Sequence, residues 1–220
     1  MTRPVAAIIL AAGKGTRMKS DLHKVLHPIA GRPMLAHLLH SVEALAPAHK
    51  VVIVGSGRAQ VEPLVAAQGG VVAVQDPQHG TAHAVQQAEA ALAGFDGDVL
   101  ILYGDVPFVS AETMRRMLDR LAAPDAPAAV VLAFRPPDPA QYGRILADAD
   151  GTIRKMVEHK DARAHRFNRK KIRFKSRSYP IFTIEIRVQK EIAILVQGAL
   201  GDGVPGSKKQ HQDCAQQEAA

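Results

Sequence analysis

Cysteine is almost absent from this chain of 220 residues: Cys214 stands alone, which excludes an internal disulfide framework and fits a reducing cytosol. Tryptophan is missing and aromatic residues make up only 4%. No stretch approaches the roughly 18 consecutive apolar residues that a membrane-crossing helix needs. No basic-then-apolar leader precedes the first apolar run, so a soluble, cytoplasmic protein with no membrane partner is expected. Hexapeptide repeats are lacking throughout, and residues 1–161 show no internal repeat. A charge excess is lacking there too, because residues 1–161 hold 16 basic and 16 acidic side chains, so the net charge of +7 falls entirely in residues 162–220. The sequence pI of about 9.7 therefore says little about the partners of the larger part.

Hydrophobic residues are plentiful, at 47%, enough for a full core in one domain of ordinary size. Val5–Leu10, Val51–Val54, Val99–Tyr103 and Ala128–Phe134 are apolar runs of strand length. Between them, Met34–Leu45, Ala59–Ala67, Thr81–Leu92 and Ser110–Leu121 have helical spacing; in the last, Met114, Met117, Leu118 and Leu121 form one apolar face behind Ser110, a good N-cap. Strands alternating with helices in this way predict an α/β fold, a mainly parallel sheet with helices on both faces. In such sheets ligands bind at the carboxyl ends of the strands. Two motifs sit there: Leu10-Ala-Ala-Gly-Lys-Gly-Thr-Arg17 after the first strand, and Tyr103-Gly-Asp-Val-Pro107 after another.

In the first, Gly13 and Gly15 let the backbone turn and bring main-chain N–H groups up to an anion, while Lys14, Arg17 and Lys24 add positive charge. An ordinary strand-to-helix turn with solvated basic residues is the bland alternative. The loop is neither a Walker A motif, since no Gly-Lys-Ser/Thr follows, nor a dinucleotide fingerprint, since Met18 stands where a third glycine belongs. In the second, Asp105 is placed as a ligand for a hard cation such as Mg²⁺, which takes one or two carboxylates and completes its shell with phosphate and water. It is equally well placed to cap a turn before Pro107. Thr81 starts a helix whose first N–H groups are open to a substrate's polar edge, and His83 reads as helix packing. Gly143 would let a sugar approach the backbone and Glu158 accept from its hydroxyls. A hairpin turning at Asp150-Gly151 is compatible with both.

The loop, together with Lys24-Val-Leu-His27 and Gly31-Arg-Pro-Met34, resembles the signature region of the sugar-nucleotide pyrophosphorylases, and within them the bacterial N-acetylglucosamine-1-phosphate uridylyltransferases. The resemblance covers roughly residues 5–161 and rests on five spaced motifs. It implies a Rossmann-like nucleotidyltransferase fold and attack of N-acetylglucosamine-1-phosphate on the α-phosphorus of UTP, giving UDP-N-acetylglucosamine and pyrophosphate for cell-envelope precursors. It implies Arg17 and Lys24 as catalytic cations and Asp105 as the Mg²⁺ ligand. Leu10, Ala11, Ala12, Gly13, Lys24, Gln75, Gly80, Thr81, Tyr103, Gly104, Asp105, Gly143 and Glu158 become the substrate contacts, with Gln75, Gly80 and Thr81 at the uracil nucleotide. Members of this family usually continue into a β-helix of hexapeptide repeats, through which they trimerise; without it a monomer is expected. Another sugar-phosphate nucleotidyltransferase, or an inactive nucleotide-binding form, are the rival readings.

The chain departs from the pattern twice. His23 replaces a proline, which loosens the loop before Lys24 by about 0.4–1 kcal/mol of chain entropy. After Asp161, the Ile-Asn-Thr-Gly and Asn-Ala-Gln-Gly-Glu-Tyr-Tyr segments of the family are missing, and the surroundings of Asn168 do not match either. Residues 1–161 are thus expected to form an incomplete nucleotidyltransferase domain, and 162–220 an atypical basic tail. That tail carries a basic run, Arg163–Arg177, with only Phe167 and Phe174 available to stack on bases, then Pro180–Val188 with strand-like alternation from Thr183, then a polar end over Gly201–Ala220 expected to be disordered. A natural replacement, a nucleic-acid-binding arm and a shifted reading frame or junction are the three accounts of it; the third is preferred and nucleic acid is not an expected partner. A frame shift predicts that the coding DNA beyond codon 162 spells Ile-Asn-Thr-Gly in another frame, and its absence from all three frames excludes the shift.

Overall fold

Val5–Leu10 form β1, whose last five residues are buried on both faces of a sheet. The computed structural model describes residues 3–13, 15, 18–125, 127–134, 142–148, 151–157, 181–182 and 194–197. After β1 come β2 (Pro28–Ile29), β3 (Arg32–Pro33), α1 (Met34–Glu43), β4 (His49–Val54), α2 (Arg58–Ala67), β5 (Val71–Val74) and α3 (Thr81–Gln86). They are followed by β6 (Asp98–Tyr103), α4 (Ala111–Leu121), β7 (Ala129–Leu132), β8 (Arg144–Ala147), β9 (Ile153–Val157), β10 (Ile181–Phe182) and β11 (Ile194–Gln197). The main sheet runs β10-β7-β11-β6-β1-β4-β5. β1 is parallel to β4 on one side and to β6 on the other, and β5 extends the parallel set beyond β4. β11 pairs antiparallel with both β6 and β7, and β10 antiparallel with β7. Strand residues from beyond Asp161 therefore share this sheet.

Alternation along the strands sorts the core into two layers. Ala7, Ile9, Val52, Val54, Leu100 and Leu102 face Leu35, Leu38 and Val42 of α1, Val61 and Val65 of α2, and Met114, Met117 and Leu121 of α4. Ala6, Ile8, Val51, Ile53, Val99 and Ile101 face Ala84 of α3 with Ala88 and Leu92 behind it, and Ile145, Ile153 and Met156 of the β8–β9 hairpin pack on that layer. The expected α/β architecture with helices on both faces is the observed one. No helix among the described residues is long and apolar enough to cross a membrane.

Two local findings differ from the expected elements. The helix starting at Thr81 stops at Gln86 instead of running to Leu92; there the Gln87 side-chain amide, and not its backbone N–H, donates to His83 O, at 2.9 Å. The Gln87 N–H bonds Ala84 O instead, and the chain tightens into i→i+3 turns. β5 and the short β2–β3 hairpin carry no expectation from the sequence at all. The hairpin expected around Gly151 is present as β8–β9. Lys14, Arg17, Asp150, Glu158, Asn168, Arg163–Arg177, Thr183–Val188 and Gly201–Ala220 lie outside the described residues.

The stretch leading into Lys24 is anchored by packing and by one backbone bond. His23 has φ −56°, already close to the value a proline would impose, and its N–H donates to Gln60 Oε1 at 2.8 Å, a bond that proline lacks. The tie to α2 offsets the freedom expected from losing the proline. The imidazole is buried, and among the described residues neither ring nitrogen has a hydrogen-bond partner. Burial holds its pKa below the ordinary 6.5.

Two outcomes follow for stability. Ser110 Oγ accepts from Thr113 N at 3.1 Å at the start of α4, so Ser110→Ala should lower the urea unfolding free energy by about 1 kcal/mol. For His23 the unfolded chain takes up a proton below pH 6.5 that the folded chain refuses, so stability is complete above that value and is lost as the pH falls from it. His23→Leu should match or exceed the wild type at neutral pH and lose less stability on acidification, as read by urea titrations at neutral and mildly acidic pH.

Candidate active site

The sequence order of the sheet dictates where a ligand goes. From β1 the chain builds β4 and β5 on one side, then crosses to build β6 on the other, so β1 and β6 flank a topological switch point. Their carboxyl ends are level, Leu10 pairing with Tyr103, and the register continues past them: Gly104 N donates to Leu10 O at 2.9 Å and Ala11 N to Ile53 O at 2.8 Å. Above these ends lies a cleft of about 650 Å³.

The cleft brings together most of the residues singled out from the sequence. Leu10, Ala11, Ala12, Gly13, Lys24, Gln75, Gly80, Thr81, Tyr103 and Asp105 all line it, joined by Gly15, Met18, Val25, Gln78 and Ala84. Gly104 lies beneath, where an added Cβ would stand 3.2 Å from both Leu10 O and the Val25 side chain. Gly143, ahead of β8, is not among the lining residues. Asp98, whose carboxyl is pushed up by burial and pulled down by Arg3, occupies the opposite end of β6 and has no part in the cleft.

The two glycines of the loop do different work. Gly15 has φ +59°, and a Cβ there would stand 2.8 Å from Lys24 Cβ, so this position is closed by the lysine stem as well as by its backbone angle. Gly13 has open space where a Cβ would go, and no left-handed backbone requires glycine there. Its role is to leave room.

Lys24 and Asp105, expected as separate phosphate and metal groups, are partners of one another. Lys24 Nζ donates to Asp105 Oδ2 across 81 residues of sequence, and both side chains are a little over a quarter exposed, at 28% and 29%. The ion pair spans the cleft floor from the loop to the end of β6. Among the described residues no group of three or more His, Cys, Asp or Glu side chains is placed to enclose a metal. A lone carboxylate fits a hard cation that completes its shell with phosphate and water, and does not fit a closed structural site.

The opposite wall is made of glutamines. Gln75 follows β5, is 4% exposed, and donates from Nε2 to Gly80 O at 2.8 Å; the same nitrogen lies 3.2 Å from His83 Nδ1. Gln78, not singled out from the sequence, donates to Ala12 O and fits over Gly55, where a Cβ would collide with its amide. That bond ties the 75–80 segment to the glycine loop. His83, expected only to pack the helix, touches Gln75, Gln87 and the ring of His79, whose centroid is 5.2 Å away. Among the described residues the cleft offers main-chain groups, a lysine and a carboxylate in contact, and an amide-lined wall: the equipment for a phosphorylated molecule with a polar planar end.

Known proteins resemble this chain in sequence and in fold. Over 160 residues the chain is 71% identical to the bifunctional protein GlmU of Rhizorhabdus wittichii, a match that covers 73% of this chain and 35% of that protein. The GlmU of Sphingopyxis alaskensis is 70% identical over 162 residues, with 74% and 36% covered. The matched chain thus spans about a third of the length of these curated relatives. Among solved structures, the inositol-1-phosphate CTP transferase of T. maritima has a TM-score of 0.58 at 19% identity, covering 90% of this chain and 71% of that one. HddC of Yersinia pseudotuberculosis, complexed with GMP-PN, has a TM-score of 0.57 at 17% identity, covering 87% and 76%. These two share the fold. The family model described as the MobA-like NTP transferase domain matches residues 7–172, most of the chain, and the protein belongs to that family.

Proposed function

We propose that this chain transfers a uridylyl group from UTP to N-acetylglucosamine-1-phosphate, releasing pyrophosphate and forming UDP-N-acetylglucosamine, with residues 1–161 as the nucleotidyltransferase part. The observation that carries this reading is the convergence of Leu10–Gly13, Lys24, Gln75, Gly80–Thr81, Tyr103 and Asp105 on one cleft, in a chain 71% identical over 160 residues to a bifunctional GlmU. The reading extends to a monomer in the cytoplasm, to Mg²⁺ as the ion, and to peptidoglycan and lipopolysaccharide precursors as the use of the product.

The barrier to such a transfer is the mutual repulsion of two phosphate anions together with the charge that grows on the leaving pyrophosphate. The glycine loop meets the triphosphate with main-chain N–H groups, and Lys24 leaves Asp105 to neutralise it. Arg17 adds a second fixed cation through a planar fork suited to phosphate oxygens. Asp105 would hold Mg²⁺, which supplies charge neutralisation across the phosphates when bound. Gln75 and the Gly80–Thr81 segment hold the base, while Gly143 and Glu158 contact the sugar. The sugar phosphate is itself the nucleophile, so no covalent intermediate on the protein is required.

The test is pyrophosphate release from UTP and N-acetylglucosamine-1-phosphate with Mg²⁺, measured beside UTP binding alone. Release dependent on both substrates supports the reading; binding without release marks an inactive nucleotide-binding form and overturns it. A fixed transition-state contact is commonly worth roughly 3–4 kcal/mol, so Arg17→Ala and Lys24→Ala should each reduce turnover at least about a hundredfold. Near-normal turnover removes the altered residue from the mechanism.

A further inference from the structure

We propose that His83 is a positioning residue: by accepting one hydrogen of the Gln75 amide it leaves only the amide oxygen for the base, and so sets the choice of uracil over cytosine. This rests on the uridylyltransferase reading, and it assigns the choice of base to a residue that does not itself line the cleft.

The geometry is that of an amide held at its nitrogen end. Gln75 Nε2 is 2.8 Å from Gly80 O and 3.2 Å from His83 Nδ1. A primary amide nitrogen has two hydrogens, and a carbonyl only accepts, so the nitrogen must face Gly80 O; the reversed amide would set two oxygens against each other. With the second hydrogen taken by His83, both donors are committed, and Oε1 is the end of this cleft-lining side chain left for a ligand. An acceptor there matches the N3–H of uracil and opposes the N3 lone pair of cytosine.

The imidazole's own hydrogen bonding is decided by burial. Gln87 Nε2 lies 3.2 Å from His83 Nε2 and donates to His83 O at 2.9 Å, so two amide nitrogens face one ring. A neutral imidazole has a single lone pair to offer. Gln75, 4% exposed, has no water to fall back on, whereas Gln87 is half-buried. An unmet buried donor is the costlier loss, so the lone pair sits on Nδ1 and the proton on Nε2. Without His83 the amide nitrogen is held by Gly80 O alone, so reversing the amide to present an N–H to the N3 of cytosine costs one bond in place of two.

The experiment measures binding of UTP and of CTP, each with Mg²⁺, to the full chain by calorimetry, in the wild type, His83→Leu and His83→Asn. Asparagine keeps an acceptor oxygen near the Nδ1 position. The expected result is a wild-type preference for UTP that falls about tenfold or more in His83→Leu and is largely kept in His83→Asn. A purely structural role for His83 would weaken both nucleotides alike. A UTP preference undiminished in His83→Leu overturns the role of His83 alone, while a wild type without UTP preference overturns the uridylyltransferase reading and this inference with it. Should His83→Leu fail to fold, the ¹⁵N spectrum of the wild-type imidazole decides: the Nε2–H tautomer supports the assignment and the Nδ1–H tautomer overturns it.

Discussion

Everything in this molecule hangs on β1 being hydrogen-bonded along both edges. Its parallel partners β4 and β6 set three carboxyl ends side by side, with Leu10 level with Ile53 and with Tyr103. The bonds then run past the strands, through Ala11 to Ile53 and Gly104 to Leu10, so that the loops leave the sheet already ordered. The small side chains of Ala6 and Ala7, one on each face and fully buried, let both helix layers close against the strand that carries the glycine loop. Rigidity in the sheet is thereby handed to Ala11 and Gly104, where the loops begin.

Much of this was legible in the sequence, and the reason is local. Apolar runs such as Val99–Tyr103, the Ser110 cap and the Met114–Met117–Leu121 stripe each declare themselves within a few residues. Gly13 and Asp105 could be grouped without knowing any contact between them because loops following buried strands converge in a parallel sheet, whereas Gln75 was reached only through the family resemblance. β5 escaped because its Val71 and Val74 are exposed at the sheet edge and its four residues are too few to show alternation, although Gly69-Gly70 and Gln75-Asp76-Pro77 bracket it. The Lys24–Asp105 pair and the Gln78 bond to Ala12 link residues 81 and 66 positions apart. Such pairings leave no trace in spacing. The short α3 escaped for another reason: a switch from α-helical to i→i+3 bonding, as at Gln87, leaves the helical spacing of the apolar residues unchanged.

Around the cleft, polar side chains are mostly occupied with each other. Gln75 and Gln78 each bond a main-chain carbonyl of a neighbouring segment, joining the turn before α3 both to itself and to the glycine loop. These bonds replace secondary structure where there is none, and they spend donors in doing so. For these two glutamines what remains for a ligand is the amide oxygen, which narrows the chemistry that this wall can receive.

If the cleft takes a phosphorylated ligand as proposed, the contact between Lys24 and Asp105 gives its binding the character of a partner exchange. An incoming phosphate must compete with a carboxylate already in place, so its net gain is the difference between two ion pairs. Each departure also leaves the other charge without its counterpart: a lysine taken by phosphate exposes a carboxylate that now favours a cation. Occupancy of one half of the floor therefore raises the affinity of the other, and thermodynamic reciprocity requires the two effects to be equal. On that reading, a lysine and a carboxylate in contact would favour a nucleotide that arrives with its counter-ion over either one alone.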